Sequence, residues 1–389
     1  MGASRTSIAE NNNIALFEKY LDNRSAFSVL SQLIEALYLS ISDASILTKM
    51  STIYDVARES GFSLATVSNV LNNGPRPVRP ETRQRILATM HRLNYHPSAV
   101  ARGLARRRTH TLSILFGVVE PSAVVLNAYS AAVLQGVLTA AAALGYNVTH
   151  HTTPWIDAEH SLADFRDRRS DGFLVVAPTT DSDLMPALAG LDLPLVAVSW
   201  PSERGGIPTV DADDRVGTRQ AVEHLLNLGH RRIAHLMGHA NLMSAVTRRD
   251  VYLQVLAEWG ITPSPEFILP GQYSEEAGHE NAYRLLTCSE PPTAIFAGND
   301  EIAVGVMEAA RELGIRIPEQ LSLVGYDDRP LSALMTPRLT TVHQPFVELG
   351  ELAVRLLLQR IQGEEVAPIT HLLTPKLVVR ESTAPLHTP

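Results

Sequence analysis

The chain has 389 residues, 45% hydrophobic and 19% charged, which fits a folded protein of two or three domains and excludes a disordered polymer. Its one cysteine, Cys288, excludes an internal disulfide; no secretory signal opens the chain and no apolar run reaches the ~18 residues of a membrane span, so a reducing cytoplasm is the expected compartment. The net charge of −8 disfavours a nucleic-acid partner only as a total: Met50 to His110 holds ten arginines against Asp55, Glu59 and Glu81, a net +7, whereas residues 1–49 carry −1 and the remainder −14.

Residues 1–49 are read as an N-terminal extension. Val29, Leu30, Leu33, Ile34, Leu37, Tyr38 and Ile41 have helical apolar spacing, which predicts an extra amphipathic helix. The alternative is that Met50 is the true start; both stay open.

Residues 50–96 read as a compact all-α unit. Thr52 and Asp55 form a capping box ahead of Ile53, Val56 and Ala57. Gly61 supplies the φ > 0 residue of a tight turn, Ser63 caps the next helix, and Val67, Val70 and Leu71 give that helix its buried stripe. A third helix begins at Pro80 and is expected to bury Ile86, Leu87, Met90 and Leu93. Two helices joined by a glycine turn can dock in the major groove, with Leu64, Ala65, Ser68 and Asn69 on the outer face. Asn69 is suited to adenine, and Leu64 and Ala65 to thymine methyls. A small bundle with a solvated polar face is the alternative for this segment taken alone.

From residue 111 onward short apolar runs alternate with helical patterns. Strands are predicted at 112–116, 146–150, 172–176, 194–199, 232–236, 293–297 and 321–325. Helices are predicted between them at 127–144, 158–169, 214–228, 245–259, 274–286 and 300–313. The alternation predicts two doubly wound, mostly parallel sheets in a two-lobed α/β body. No G-x-G-x-x-G, P-loop or G-x-S-x-G motif follows a strand, and His235 and His239 lack the glutamate of a zinc signature. No enzyme, metal or cofactor is therefore expected. A transport binding protein on the same body is disfavoured by the basic N-terminal unit.

The run from Ser51 to Arg108 resembles the headpiece and hinge of the lactose-repressor/galactose-repressor (LacI/GalR) family. The matching pieces include Ile53-Tyr54-Asp55-Val56-Ala57, Ala65-Thr66-Val67-Ser68, Leu93-Asn94-Tyr95 and Pro97-Ser98-Ala99-Val100-Ala101-Arg102. The resemblance adds Ser63 and Thr66 to the major-groove set. It implies a hinge over residues 97–110, with Ala101 and Leu104 in the minor groove and Arg102, Arg106 and Arg107 on phosphates. It implies a homodimer on an inverted-repeat operator in double-stranded DNA. Arg79 stands where the family usually places a capping residue.

The resemblance extends over 111–389, with Ala297-Gly298-Asn299-Asp300, Gly325-Tyr326-Asp327-Asp328 and Leu339-Thr340-Thr341-Val342-His343-Gln344 in the family's order. It implies a body similar to periplasmic sugar-binding proteins, with a first lobe of about 111–209 and 342–362 and a second of about 210–341 and 367–380. Between them an effector would meet Tyr129, Ser199, Arg248, Tyr273, Asn299, Asp327, Gln344 and Phe346. Arg248 also reads as one cation of a basic helix face beside Arg249, and Asn299 or Asp300 as a helix cap. A saccharide is the first expectation for the effector and a nucleobase or nucleoside the alternative, because Ser199 and Val251 depart from the sugar-binding pattern. The sign of control, inducer or corepressor, stays open.

Overall fold

The structure, a computed structural model, describes residues 51–72, 74–96, 108–117, 127–153, 155–201 and 206–386. The chain divides into two compact units, one up to Arg102 and one from Gly103.

In the first unit, helices α1 (Ile53–Ser60), α2 (Leu64–Leu71) and α3 (Pro80–Arg92) close over Val56, Val67, Val70 and Ile86. Each end is set locally. Thr52 and Asp55 make the reciprocal capping box, Gly61 turns the chain at φ 75°, and Ser63 Oγ accepts from Thr66 N–H at 3.2 Å. Arg79 gives α3 no side-chain cap, and only Pro80 at its first position favours the start. Leu87 departs from expectation. It is 45% exposed, because α3 turns Ile86 and Thr89 inward instead.

The second unit holds two six-stranded sheets. The first contains β1 (Thr111–Phe116), β2 (Asn147–His150), β3 (Gly172–Val176), β4 (Leu195–Val198) and β5 (Thr209–Ala212). With β11 (Thr370–Leu373) added at the edge, the order is β11-β5-β4-β3-β1-β2, all pairs parallel. Helices α4 (Ala128–Ala143) and α11 (Phe346–Ile361) cover one face, and α5 (Ala158–Phe165) and α6 (Leu184–Ala189) the other. Helices α4 and α11 meet at glycines: a Cβ on Gly136 would lie 1.9 Å from the Val347 carbonyl oxygen, and one on Gly350 2.2 Å from that of Val133.

The second sheet repeats the plan with β6 (Ile233–Leu236), β7 (Ile268–Leu269), β8 (Ala294–Ala297), β9 (Ser322–Asp327), β10 (Thr340–His343) and β12 (Lys376–Val378). Its order is β12-β10-β9-β8-β6-β7, with only β12 antiparallel. Helices α7 (Asp214–Asn227) and α8 (Met243–Glu258) pack on one face, and α9 (Glu275–Leu286) and α10 (Asp300–Glu312) on the other.

The lobe boundaries differ from those read in the sequence. Residues 209–212 and 370–373 pair in the first sheet and 340–343 in the second, so the chain crosses between lobes after Ala212, His343 and Leu373. The register decides this: Thr209 to Ala212 align with Thr370 to Leu373, and Thr340 to His343 with Val324 to Asp327.

Candidate functional site

In the first unit the start of α2 is open to solvent. Ser63, Leu64 and Ala65 are exposed, while Thr66, Ser68 and Asn69 are half-buried. Several of these polar groups are already occupied. Ser63 and Thr66 share a hydroxyl hydrogen bond of 2.9 Å, and Asn72 Nδ2 donates to the Ser68 carbonyl at 2.9 Å. Asn69 Nδ2 donates to the carbonyl of Arg76 at 2.8 Å, and its amide leans over Gly74, where a Cβ would stand 2.2 Å from Oδ1. Asn69 thus ties the loop after α2 in place. Ala101, Arg102, Leu104, Arg106 and Arg107 lie outside the described residues. Arg108 is described, and its guanidinium donates to the Ile361 carbonyl at 3.2 Å.

In the second unit a cleft of about 530 Å³ opens between the lobes. Its walls come from the carboxyl ends of strands and the helix starts that follow them, where doubly wound sheets collect functional groups. From the first lobe come Phe116, Tyr129, Ser130, Ser199 and Asp211; from the second, Asp214, Ser244, Arg248, Tyr273, Asn299, Glu301 and Asp327; Gln344 sits at the second crossing.

Arg248 is the fixed point. It is 5% exposed, its Nε donates to Asp214 Oδ1 at 3.0 Å, its Nη1 to the Gly298 carbonyl at 2.6 Å, and its guanidinium lies 3.8 Å from the Tyr326 ring centroid. Burial works against its charge, but Asp214, together with Tyr273, Tyr326 and Asp327, outweighs it, so the guanidinium stays protonated.

Asp327 is held in an unusual backbone state, φ 112°, followed by Asp328 at φ 56°. The turn is pinned from behind: Arg380 Nη2 meets Asp328 Oδ1 at 2.5 Å and Arg380 Nη1 meets the Leu339 carbonyl at 2.7 Å. Asp327 then accepts from Gln344 Nε2 at 2.6 Å, and burial lifts its pKa far above the usual carboxylate range. Asn299 does two things at once. Its Oδ1 caps α10 through Ile302 N–H at 2.9 Å, and its Nδ2 donates to Glu301 at 2.6 Å. Asp300 is the structural neighbour, bonded to Thr341 Oγ1 at 2.6 Å and Arg329 N–H at 2.7 Å.

Across the cleft, Tyr129 donates to Ser199 Oγ at 2.9 Å and Ser199 donates to Asp211 Oδ1 at 3.0 Å. Burial, reinforced by the charge of Asp214, raises the Asp211 pKa to about 7. Tyr273 lies flat over Gly238, where a Cβ would fall 2.1 Å from its ring, and shares a hydrogen bond of 3.1 Å with Ser244.

Residues 52–98 match the family model described as bacterial regulatory proteins, lacI family, and residues 222–383 match a periplasmic binding protein-like domain. Catabolite control protein A of Priestia megaterium is 34% identical over 85% of this chain and 99% of its own length. The HTH-type transcriptional repressor PurR of Haemophilus influenzae is 34% identical over 86% of this chain and 98% of its own. The solved structure of the lac repressor dimer bound to operator and the anti-inducer ONPF superposes with a TM-score of 0.77 at 30% identity, covering 86% of this chain and 99% of that one. The chain belongs to the lacI family of bacterial regulatory proteins. It is a DNA-binding transcriptional regulator with a helix-turn-helix unit and a periplasmic-binding-protein-like body.

Of the eight cleft residues named from the sequence of this LacI-family regulator, the fold brings seven together: Tyr129, Ser199, Arg248, Tyr273, Asn299, Asp327 and Gln344. Phe346 does not line the cleft. It is buried in the first-lobe core and braces Tyr129 edge-on, with ring centroids 5.2 Å apart. Val251 sits in the core between α7 and α8, so its size does not bear on the ligand. His235 is likewise a core residue: its Nδ1 bonds the Phe296 carbonyl at 3.0 Å and burial lowers its pKa to about 4. Asp211, Asp214, Glu301 and Phe116 were not singled out for the cleft. The available signal for the first two was the acidic run Asp211-Ala212-Asp213-Asp214 at the strand-to-helix crossing. Among the described residues no group of three or more His, Cys, Asp or Glu side chains is placed to hold a metal ion, and no helix is long and apolar enough to cross a membrane.

Proposed function

We propose that this regulator is a repressor, without enzymatic activity, that releases its operator when a saccharide fills the interlobe cleft. The observation that carries the reading is the meeting of Arg248, Asn299, Asp327 and Gln344 on one cleft wall, with Tyr129 and Ser199 opposite. A sugar presents neighbouring hydroxyls that donate to carboxylates and accept from guanidinium and amide groups. Its apolar ring face suits Phe116 and Tyr273.

DNA contact falls to the exposed start of α2, with Ser63, Leu64, Ala65, Thr66, Ser68 and Asn69 as the reading set. Ala101 and Leu104 are the minor-groove pair, and Arg102, Arg106 and Arg107 the phosphate contacts. Two copies on an inverted repeat would give the two half-sites, as in the operator-bound lac repressor dimer. A nucleobase or nucleoside is the second reading. The relatives named PurR favour it, and so do the planar side chains Phe116 and Tyr273 in the cleft.

Thermal-shift screening of the full chain against sugars and nucleosides tests the proposal, because a ligand bound only by the folded state raises the melting temperature. A sugar that stabilises the protein should weaken operator binding in a mobility-shift assay, and Asp327→Asn should lose both effects. A stabilising sugar that leaves the operator complex intact, or is chemically consumed, would overturn the reading.

A further inference from the structure

The cleft gathers more carboxyl groups than a neutral sugar needs. Four carboxylates line it, Asp211, Asp214, Glu301 and Asp327, against one guanidinium. That guanidinium, Arg248, is committed to Asp214 and the Gly298 carbonyl. Glu301 and Asp327 each accept from a side-chain amide at 2.6 Å.

Asp211 is the one of the four that, among the described residues, accepts from no guanidinium or side-chain amide. Its Oδ1 accepts from the Ser199 hydroxyl at 3.0 Å and from Ala212 N–H at 2.9 Å, and among the described residues no ion pair reaches it. Its strongest charged neighbour is another carboxylate, Asp214. On the same lobe, at the first turn of α4, Ser130 brings a second unsatisfied group to the cleft. Its side chain is fully buried and its hydroxyl has no hydrogen-bond partner among the described residues. A buried hydroxyl without a partner costs stability, and a carboxylate that attracts Arg248 without pairing with it is poorly compensated, until a ligand completes them. An ammonium group does so for both, since it offers three N–H donors and the compensating charge.

We infer that the effector carries a protonated nitrogen on its polyhydroxylated framework, as an amino sugar does, and that this ammonium group sits against Asp211 with Ser130 as a further acceptor. The inference rests on the cleft being the effector site. A neutral sugar would leave Asp211 either protonated or charged in a half-buried site without a paired cation.

The experiment titrates the full chain calorimetrically, at one ionic strength, with D-glucosamine, D-galactosamine and D-mannosamine, and with D-glucose, D-galactose and D-mannose. At least one amine should bind about tenfold or more tightly than its hydroxyl counterpart, the scale of a charge-assisted hydrogen bond. Asp211→Asn should erase that advantage. Should this variant fail to melt cooperatively, Ser130→Ala takes its place, with a severalfold loss expected for the amine alone. Hydroxyl sugars binding as tightly as the amines would overturn the inference, as would an advantage that survives Asp211→Asn. If hydroxyl sugars bind and Asp327→Asn abolishes their binding, the saccharide reading stands and the ammonium inference falls. If neither series binds, both fall.

Discussion

Arg248 and Asp214 set the character of the cleft because neither is tolerable without the other. Both are nearly inaccessible to water, and their 3.0 Å contact is the one ion pair lining the cleft among the described residues. Removing one partner of such a pair leaves a buried charge, which costs about 3–5 kcal/mol. Arg248→Ala should therefore lower the unfolding free energy of the body by that order in urea titration, with Arg248→Met, Asp214→Leu together recovering most of it. A loss below about 1 kcal/mol would mean that water reaches Asp214 freely. Asp211 yields the opposite sign. Its folded pKa of about 7 is raised above the unfolded value near 3.8, so its favourable contribution is complete below about pH 4 and fades as pH rises through 7. Asp211→Asn should leave the melting temperature unchanged at pH 4 and raise it by a few degrees at pH 8. An equal shift at both pH values would assign the effect to packing.

The elements of the first unit are specified almost wholly by local chemistry, which makes their ends sensitive to single changes. Ser63→Ala removes the oxygen that accepts from Thr66 N–H and should cost about 1 kcal/mol, read by thermal melting. Arg79→Ser supplies a cap that α3 lacks and should gain about 0.5–1 kcal/mol; a loss would show that Arg79 has another task. The same locality explains what the sequence reveals. The capping box at Thr52, the turn at Gly61 and the strand cores at 112–116 and 172–176 are legible because each is written within a few residues. Helix α11 is absent from the predicted helices although its polar stripe, Glu348, Glu351, Arg355 and Gln359, is legible at helical spacing opposite the face buried against α4 and the sheet. Strands β5, β10, β11 and β12 hold only three or four residues each; β11 joins the first sheet through β5, more than a hundred residues away, and β12 reaches β10 only past the first-lobe elements α11 and β11. Family motifs located Arg248, Asn299 and Asp327 without any of that. Asp211 escaped because a cleft carboxylate and a solvated helix-capping run look alike until the strand register turns one of them inward.

At the scale of the whole body, three chain crossings join the lobes, and they leave relative motion as the one large freedom a ligand can use. The cleft residues straddle it: Ser199 and Asp211 belong to one sheet, Arg248 and Asp327 to the other, and a small molecule bridging them must bias closure. Operator and effector are then coupled reciprocally, each changing the other's affinity by the same factor. A contact away from the crossings also reports on closure. Thr180 N–H on the first lobe donates to the Asn241 carbonyl at 2.9 Å, and Asn241 Nδ2 donates to Asp181 Oδ2 at 2.6 Å. The side-chain bond is half-exposed and single, so it contributes about 0.5–1.5 kcal/mol to the closed arrangement. Asn241→Ala keeps the carbonyl but loses that bond. Hydrogen exchange at the Thr180 amide should accelerate about 3–10-fold, the kinetic equivalent of that energy, while amides in the centre of β3 keep their parental rates. Unchanged exchange at Thr180 would show that the Asn241 side chain adds nothing to closure; acceleration throughout β3 would show that the variant loosens the first lobe itself. With Thr180 alone affected, the ligand-free body samples an opening that a molecule bridging the cleft would oppose.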